Sequence, residues 1–452
     1  MEQQKRMAGV ALVEHTNSIA NQYVGWSLHQ PYMDWSHAAC QVVETRLVTT
    51  DSALIAHLLR RTSFGPLPGQ VEALVPGGLS AAIEAVLAAQ PPALPPSPSL
   101  DKSTPLALPE WWLARMADPA AGLQEKLAWF WHGHFTSSRK KVTDAGLMYL
   151  QNQLLRQSAL GNFRALAQQI TIDPAMLWYL DGRTSTASAP NENYAREFME
   201  LFVLGLDQYS QDDVHQGAIA LSGWRIDETN GTSRFVTRFG PTGPVPYLGQ
   251  HVGSAQDVVN AACGHPACAP FVVAKVFAYL AGTPPSAEQQ SQLAALFVAA
   301  GLELQPLVGA ILRDPAFLNM RLNRPRYPVE WVTAAMAAVG LSDPALAYRL
   351  CVPMGQVPFF PPNVAGWPAD LSWLAPSDAL VRAALAVRAP GVTDVAAATD
   401  PVAAALQRCS IYEVSAETQA VLEQAAGAVR EPLARAAVVL GLIISSPDFA
   451  LA

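Results

Sequence analysis

The spacing of apolar residues along the chain predicts a mainly helical protein. Apolar positions recur three and four residues apart over long stretches, which is the period of one face of an α-helix. The clearest stretches are "DSALIAHLLRRTSFG" (51–65), "AAGLQEKLAWFWHGHF" (120–135), "TDAGLMYLQNQLLRQSALGNFRALAQQITI" (143–172) and "APNENYAREFMELFVLG" (189–205). Asp51 is the expected N-cap of the first helix, and Gly65 is its expected stop. We therefore expect a mainly α fold, built as a large multi-helix domain.

Two stretches interrupt the helical pattern. "PPALPPSPSL" (91–100) has the composition of an extended linker, which we place near residues 91–108. Asn230-Gly231 lies between two alternating runs and predicts a small β-hairpin, because both residues tolerate positive φ. These breaks suggest four regions, which are an irregular N-terminal extension at 1–45, a helical region at 46–222, a β-hairpin insertion at 223–255 and a second helical region at 256–452.

A Pro/Gly/Trp-rich loop interrupts the second helical region. It reads "MGQVPFFPPNVAGWPADLSW" and covers residues 354–373. A loop of this length inside a helical protein indicates either a function or a braced structure. Flat indole faces suit carbohydrate-like or aromatic ligands, although they suit plain packing equally. The candidate binding residues are Gln356, Asn363 and Trp367 in the loop and Trp224 at the start of the hairpin segment.

Composition narrows the classes of partner and compartment. The 452 residues carry a formal net charge of -8 and contain no basic block, which argues against nucleic acid as a partner. The longest apolar run, "AAVVLGLII" (436–444), is far short of the ~20 residues that a membrane span needs. The N-terminal residues lack the pattern of a signal peptide. We expect a soluble protein, cytoplasmic or at least not exported, without a transmembrane segment.

The five cysteines are too few and too scattered for a disulfide framework. Cys263 and Cys268 form the one close pair, in "CGHPAC". This pair is compatible with a local disulfide, with two free thiols or with part of a metal site, although a zinc site needs four well-spaced ligands.

The stretch 189–205 concentrates polar side chains on one side of a helix. At ~100° per residue, five of them fall within roughly 140°, and aromatic and aliphatic residues take the other side. These candidate catalytic residues are Glu192, Asn193, Arg196, Glu197 and Glu200. Val203 and Leu204 close the polar patch at its C-terminal end, as the wall of a pocket would. The pattern fits an ordinary solvated face, and it also fits a polar site whose residues are turned inward.

The stretch "LAWFWHGHFTSSRKK" (127–141) places two histidines among aromatic residues. His132 and His134 are two positions apart, a spacing that brings side chains to one side only in extended backbone. If Gly133 loosens the end of the helix, the two imidazoles could converge and bind a divalent metal, with Glu192, Glu197 or Glu200 as a further ligand. Alternatively, both histidines hydrogen-bond to the backbone beneath the aromatic cluster.

Several of these blocks, in this order, resemble the bacterial family known as domain of unknown function 1800. The blocks are "HLLRRTSFGP" (57–66), "FWHGHF" (130–135), "NENYAREFMELFVLG" (191–205), "ALSGW" (220–224), "HPACAPFVVAKV" (265–276), "GQVPFFPPNVAGWP" (355–368) and "SSPDF" (445–449). The resemblance covers about residues 50 to 452 and implies a largely helical fold. It also implies a companion protein of the family known as domain of unknown function 1501, which is similar to phosphatase- and sulfatase-like proteins. It implies no specific activity.

The chain departs from the family pattern in one segment. Family members usually follow the "GW" block with a His-Asp pair, a Lys and "LG", whereas this chain reads "RFVTRFGPTGPVPYLG" (234–249). If that pair belongs to a metal or acid–base site, this protein has lost it or uses other groups. His251 is the nearest histidine in the sequence. The N-terminal 45 residues also fall outside the resemblance and lack the export signal that many members carry.

Two classes of function remain open from the sequence. As an enzyme, the protein would use His132 and His134 with a carboxylate to hold a divalent metal that activates water or oxygen. Without a metal, a glutamate of raised pKa would act as general acid or base while Arg196 clamps an anionic group. The chemistry could be hydrolytic or oxidative. As a non-catalytic binding or assembly protein, it would use the same polar residues to fix helix packing and the Pro/Gly/Trp-rich loop to contact a companion protein.

Overall fold

The computed structural model describes residues 50–89, 96–118, 120–227, 229–369 and 371–452. The predicted N-terminal extension lies outside these residues, as do positions 90–95 of the predicted proline-rich linker. Residues 50 to 452 form one compact unit.

The described residues are mainly α-helical, as predicted. The helices before the β segment are α1 Asp51–Thr62, α2 Gln70–Leu74, α3 Gly78–Ala88, α4 Ala107–Met116, α5 Gly122–His134, α6 Ala145–Gln157, α7 Phe163–Thr171, α8 Pro174–Tyr179, α9 Glu192–Glu197 and α10 Gln211–Ala220. The helices after it are α11 Ala255–Gly264, α12 Cys268–Ala281, α13 Ala287–Ala299, α14 Leu304–Arg313, α15 Pro315–Asn319, α16 Pro328–Ala338, α17 Pro344–Cys351, α18 Pro376–Ala386, α19 Thr393–Ala396, α20 Pro401–Arg408, α21 Ala416–Ala428, α22 Pro432–Ser445 and α23 Pro447–Ala450. Short 3₁₀ turns occupy Val75–Gly77, Gly182–Thr184, Thr237–Phe239 and Leu371–Leu374.

The β segment contains two antiparallel hairpins where the sequence predicted one. The strands are β1 Trp224–Asp227, β2 Thr232–Phe235, β3 Val245–Tyr247 and β4 Gln250–Val252, and β1 pairs with β2 while β3 pairs with β4. The Asn230-Gly231 pair does not form a two-residue turn, because the loop between β1 and β2 is longer. Among its described residues only Gly231 has a positive φ, of 68°. The Asp227 carboxylate organises this loop by accepting from the Thr229 amide at 3.0 Å.

Polar side chains that accept from free amides fix where several helices begin. At α1 this residue is Thr50, which accepts from the Ala53 amide, so the prediction of Asp51 as the cap is wrong by one position. Asp314 and Ser446 cap α15 and α23 and are followed by proline at the first helical position. Asp173 caps α8 in the same way.

Asp173 is nearly enclosed by the protein. Its Oδ1 accepts from the Met176 amide at 3.0 Å and from Gln151 Nε2 at 2.7 Å, and the residue is 6% exposed. Burial raises the pKa of Asp173 to about 7, although both hydrogen bonds act to lower it.

The substitution Asp173→Asn is expected to remove a pH dependence of stability. The unfolded chain releases this carboxyl proton near pH 4, whereas the folded protein keeps it until near pH 7. The stabilisation that the protonated group contributes is therefore full below pH 4 and is lost as the pH rises through about 7. Asparagine keeps the cap. Between pH 5 and 8 we expect the wild type to lose about 2 kcal/mol relative to the variant, measured by urea unfolding. A difference that stays constant over this range would contradict the prediction.

Two hydrophobic clusters form the core, and α5 contributes to both. The first contains residues of α1 and most helices from α7 to α14, with Trp131 and Phe202 among them. The second contains residues of α4, α16 and the C-terminal helices, with Trp112, Trp129 and Trp331. Because Trp129 and Trp131 lie on different sides of α5, this helix carries the two histidines between the clusters.

Among the residues that the structure describes, one helical stretch is long and apolar enough to cross a membrane by length and composition. It runs over 19 residues, Gln70–Ala88, and includes α2, a 3₁₀ turn and α3. Helices α11 and α12 meet the same criterion as a pair, with a bend of 79° between them. Core helices of soluble proteins and signal sequences also meet it, so this is weak support for a span. The expectation that no segment reaches this length is not met, and the absence of a membrane span stays a prediction.

Candidate functional site

The predicted polar helix consists of two different helical segments. Asn191 caps α9 by accepting from the Tyr194 amide at 3.0 Å. At Phe198–Val203 the helix continues as a π-helix, in which the Leu204 amide donates to the Met199 carbonyl five residues back, at 2.7 Å. π-Helical turns are rare and frequently occur at functional sites. The sequence pattern gave no indication of this segment.

The apolar side of this helix faces the core, and the polar side faces the surface. Tyr194, Phe198 and Phe202 are at most 2% exposed. Asn193 is exposed, and the other four candidates, Glu192, Arg196, Glu197 and Glu200, are half-buried. The hypothesis that the polar residues are turned inward is therefore wrong, because the aromatic residues on the opposite side take the buried position.

Glu192 and Arg196 are connected through α10. The Glu192 carboxylate accepts from His215 Nδ1 at 2.8 Å and from Gln211 Nε2 at 3.0 Å. Arg196 donates to Gln211 Oε1 at 2.8 Å. The His215 and Glu192 side chains are 46% and 40% exposed. Since a carboxylate can only accept, His215 carries its proton on Nδ1, and its Nε2 is left as a base when the ring is neutral.

Glu197 and Glu200 lie on the same polar side, beyond Arg196. Glu200 Oε2 accepts from the Tyr209 hydroxyl at 2.7 Å. Partial burial raises the pKa of Glu197, the neighbouring Glu200 raises it further, and Arg196 counteracts both. Glu197 thus holds a proton more readily than an ordinary glutamate. Burial raises the pKa of Tyr179, and the charge of Glu197 raises it further.

The two histidines of the "HGH" sequence do not converge. Helix α5 continues through Gly133 to His134, so two residues two positions apart point to opposite sides. His134 Nε2 lies 2.9 Å from the Phe202 carbonyl and therefore carries the proton, which satisfies a carbonyl of the π-helix. His132 contacts the rings of Trp112, Phe359 and Trp367, and its Nε2 has no partner. Burial lowers the pKa of each histidine to about 3.

Over the part of the chain that the structure describes, no group of three or more His, Cys, Asp or Glu side chains is arranged to hold a metal ion. His132 and His134 thus lack the shared carboxylate that the metal hypothesis requires. Cys263 and Cys268 are both free and buried. Their thiols are close enough to hydrogen-bond, which together with burial raises the pKa of Cys268.

The Pro/Gly/Trp-rich loop packs against the end of α5. Trp367 stacks on Trp129, with ring centroids 4.5 Å apart. Gly366 lies so close to Gly133 that a Cβ atom would be 2.3 Å from the Gly133 carbonyl oxygen. The "HGH" and "AGWP" sequences therefore form one contact, in which the missing side chain of Gly366 allows the α5 backbone to approach.

The other candidate binding residues of this loop hold its own structure or that of its neighbours. Gln356 is 2% exposed and accepts from the Val329 amide at 3.0 Å, which satisfies a free amide of α16. Asn363 is exposed, and its side chain closes a turn by accepting from the Ala365 amide at 2.9 Å. Trp224, at the start of β1, is half-buried with an unpartnered Nε1, and its ring contacts Phe235.

A cleft of about 440 Å³ lies beside β1, at the loop that leads into α9. It is lined by Arg183, Thr184, Arg225 and Ile226. The Arg183 guanidinium lies 4.0 Å from the centre of the Trp178 ring, and Arg225 lies 4.2 Å from that of Phe239. These stacks hold two cationic groups in fixed positions at the cleft.

Sequence reasoning missed His215 and Gln211. Both lie on α10, which begins at a capping box of Ser210 and Asp213. They are four residues apart and therefore share one side of the helix, which was the available signal. Their partner Glu192 is 23 residues from His215, and no local pattern indicates this pairing.

Comparison with known proteins gives one match. Residues 57–451 match the family model described as "Protein of unknown function (DUF1800)". Neither the curated proteins nor the solved structures contain a match to this chain.

Proposed function

The chain belongs to the DUF1800 family, whose description assigns no activity, and we propose from the geometry of its polar helix that it is a hydrolytic enzyme acting on a small anionic substrate. The observation that carries this proposal is the pair formed by Glu192 and His215, with Nδ1 and Oε1 2.8 Å apart. A carboxylate that orients an imidazole is the arrangement that general-base catalysis uses.

The proposed reaction needs one base and one acid. His215 Nε2 takes a proton from water as the water oxygen attacks the electrophilic centre. Glu197, whose pKa is raised, gives its proton to the leaving group as the bond to that group breaks. One water is consumed, and its atoms are divided between the two products. The half-exposed position of the site favours hydrolysis over oxidative chemistry, because reactive oxidised intermediates require the exclusion of water.

One basic side chain within the polar face and two at the cleft beside the loop before α9 support an anionic substrate. Arg196 lies between the Glu192–His215 pair and Glu197 along the helix. The cleft lined by Arg183 and Arg225 lies at the loop before α9. Guanidinium groups bind carboxylate and phosphate groups through paired hydrogen bonds.

The test is hydrolysis of a panel of chromogenic phosphate, carboxylate-bearing ester and glycoside substrates. We expect His215→Gln to lower kcat by about 10²–10⁴-fold. We expect Glu197→Gln to abolish the alkaline limb of the pH profile of kcat, since no acid remains. Glu192→Gln is also expected to lower kcat, because a neutral amide stabilises the protonated His215 less than a carboxylate does and can donate to Nδ1 instead of accepting from it. The matched control is Asp212→Asn, which changes an exposed residue of α10 whose carboxylate accepts from Gln216 Nε2 at 3.4 Å.

Glu197 is expected to shape the pH profile of kcat. Activity of the wild type should fall as Glu197 loses its proton with rising pH, and Glu197→Gln should lack this limb and keep only a low residual rate. A panel in which the wild type hydrolyses nothing, or in which His215→Gln and Asp212→Asn are equally active, would refute the proposal.

A second candidate function is a docking surface for a companion protein of the family known as domain of unknown function 1501. The observation that favours it is Leu206, which is 65% exposed three residues after the end of the π-helix. Protein interfaces combine apolar side chains at the centre with polar ones around them. Under this function, Glu192, Gln211 and His215 only tie α9 to α10. A further variant decides between the two functions. Under the docking function, Leu206→Asp would abolish complex formation in sedimentation experiments, and the wild type would hydrolyse no substrate of the panel.

A further inference from the structure

Arginines gather around the cleft beside β1, in a chain that is acidic as a whole. The 29 Lys and Arg residues of the chain are outnumbered by 37 Asp and Glu residues. Arg183 and Arg225 nevertheless line the cleft together, on the loop before α9 and on β1. Arg234 on β2 and Arg238 in the 3₁₀ turn after it belong to the same β segment. Positive charge is therefore concentrated at this one place on the surface.

Two of these arginines face each other across the hairpin. Arg225 is paired with Arg234 in the antiparallel register of β1 and β2. Residues directly opposite in such a pair share one face of the hairpin, with Cβ atoms about 5 Å apart. Like charges at this spacing destabilise the pairing of the strands. An anion bound beside β1 would offset this repulsion.

A third arginine lies over the same aromatic ring as Arg225. The guanidinium groups of Arg225 and Arg238 are 4.2 and 4.5 Å from the centre of the Phe239 ring. Burial lowers the pKa of Arg225, and the charge of Arg238 lowers it further. Within the described residues, no carboxylate forms an ion pair with either group. The Asp181 carboxylate, on the loop before α9, is paired with Lys141 at 2.6 Å.

The cleft has hydrogen-bonding groups that its own residues do not use up. Arg225 donates through Nη1 to the carbonyls of Ser185 and Trp224, at 3.0 and 2.6 Å. Its Nε and Nη2 bind no other described residue, so they can donate to a ligand. The Thr184 hydroxyl donates to the Asp181 carbonyl at 3.0 Å, so its oxygen can only accept from a ligand. The cleft therefore offers donors to an anion and an acceptor to a hydroxyl group.

We propose that this cleft binds the phosphate group of a small organic phosphate, such as a phosphorylated polyol or sugar. Arg183 and Arg225 approach from separate elements and can bind different oxygens of a tetrahedral phosphate, whereas a carboxylate offers only two oxygens in one plane. Thr184 accepts from a hydroxyl group of the same ligand. The volume of about 440 Å³ lies within the range of about 300–1,000 Å³ that is typical of small-molecule sites.

The cleft is connected by hydrogen bonds to the start of α9. Arg225 binds the Ser185 carbonyl, and the Ser185 hydroxyl oxygen accepts from the Asn191 amide at 3.1 Å. Asn191 caps α9, whose first residue is Glu192. A phosphate held by Arg225 is therefore linked to the segment that positions Glu192. The role of the ligand as substrate rests on the proposed function, whereas its binding at the cleft can be measured without turnover.

Isothermal titration with glycerol 3-phosphate at constant ionic strength tests the site. We expect saturable binding by the wild type, weaker binding of glycerate, which carries a carboxylate instead of the phosphate, and no binding of glycerol. Arg225→Gln should raise Kd about tenfold or more, because it removes a charge-assisted contact. Arg225→Lys should recover part of the affinity. The matched control Arg349→Gln changes an arginine whose side chain is 62% exposed and should keep the wild-type Kd.

Three results of this titration would overturn the proposal. They are no binding of glycerol 3-phosphate by the wild type, equal affinity for glycerate, and equal Kd values for the wild type and a folded Arg225→Gln variant. Far-UV circular dichroism establishes that the variant is folded.

A second measurement uses only the wild-type protein. Phenylglyoxal modifies exposed guanidinium groups, and mass mapping of peptides locates the modified residues. Glycerol 3-phosphate should protect Arg183 and Arg225 from modification and leave Arg349 reactive. Equal modification of Arg225 with and without the ligand would contradict binding at the cleft.

Binding and hydrolysis together separate this site from the proposed function. His215→Gln should bind glycerol 3-phosphate with the wild-type Kd, because His215 does not line the cleft. A wild type that binds the ligand but hydrolyses no substrate of the panel would support the site and refute the proposed function. Hydrolysis of phosphate esters with KM and Kd unchanged in Arg225→Gln would refute the site and leave the proposed function standing.

Discussion

Glu330→Gln is expected to lower the free energy of unfolding at pH 7 by about 3–5 kcal/mol. Glu330 accepts from Arg324 through both oxygens, at 2.7 and 3.0 Å, from Lys126 Nζ and from the Tyr327 amide at 3.1 Å. Glutamine has nearly the same shape but no charge, so the two cations would remain buried without an anion. Urea unfolding followed by tryptophan fluorescence measures the difference.

The effect of Glu330→Gln should depend on pH in a defined direction. Arg324 and Lys126 hold the pKa of Glu330 far below its usual range, although burial alone would raise it. The stabilisation is therefore full above the pKa of an unfolded glutamate, about 4.3, and it decreases as the pH falls below that value.

A matched control is Glu84→Gln. Glu84 pairs with Arg313, but their side chains are 61% and 47% exposed, so water can replace the contact and the change should be small. A loss for Glu330→Gln no larger than that for Glu84→Gln would show that Glu330 does not compensate the buried cations.

Gly366→Ala is the second substitution with a large expected effect, about 2–4 kcal/mol of destabilisation. Gly366 has a φ of +81°, and an added Cβ would lie 2.3 Å from the Gly133 carbonyl oxygen. The carbonyl belongs to the backbone of α5 and cannot turn aside as a flexible side chain could. The loop would have to move away from α5, which should also change the fluorescence of Trp367.

Gly249→Ala separates the backbone strain of a positive φ from the steric contact with Gly133. Gly249 has a similar φ of +74°, but no atom lies within 4 Å of the position of its Cβ. This variant therefore experiences only the backbone strain of about 1–2 kcal/mol. If Gly366→Ala costs no more than Gly249→Ala, the close contact with Gly133 contributes nothing to stability.

Much of the fold could be predicted because local periodicity determines it. The apolar spacing of α1, α5, α6 and α7 is preserved in the structure as the buried side of each helix. The π-helix at Phe198–Val203 was not predictable in this way. Its sequence, "FMELFV", is equally compatible with an ordinary helix, and its hydrogen bonds to residues five positions back depend on tertiary packing.

The candidate site could be predicted only in part. The polar residues from Glu192 to Glu200 do share one side of a helix, as their spacing indicated. Their orientation toward the surface depends on which side the core takes, and the sequence pattern did not decide this. The pairing of His132 and His134 with a carboxylate was not found, because α5 continues through Gly133 and separates the two rings. His215 was missed because its contact with Glu192 joins two helices.

The contact between Lys126 and Glu330 joins residues that are 204 positions apart. At roughly 5–20 residues per second, a ribosome needs about 10–40 s to make the chain between them. During that time Lys126 has no carboxylate, and its ammonium group is more stable in water than in an apolar core. The Ala452 carbonyl reaches Arg61 across 391 positions, so this partner is made later still. Helices α1 and α5 must therefore wait until these later residues have been made before their charged side chains can be enclosed, and a nascent chain is expected to remain open around α1 and α5 until then.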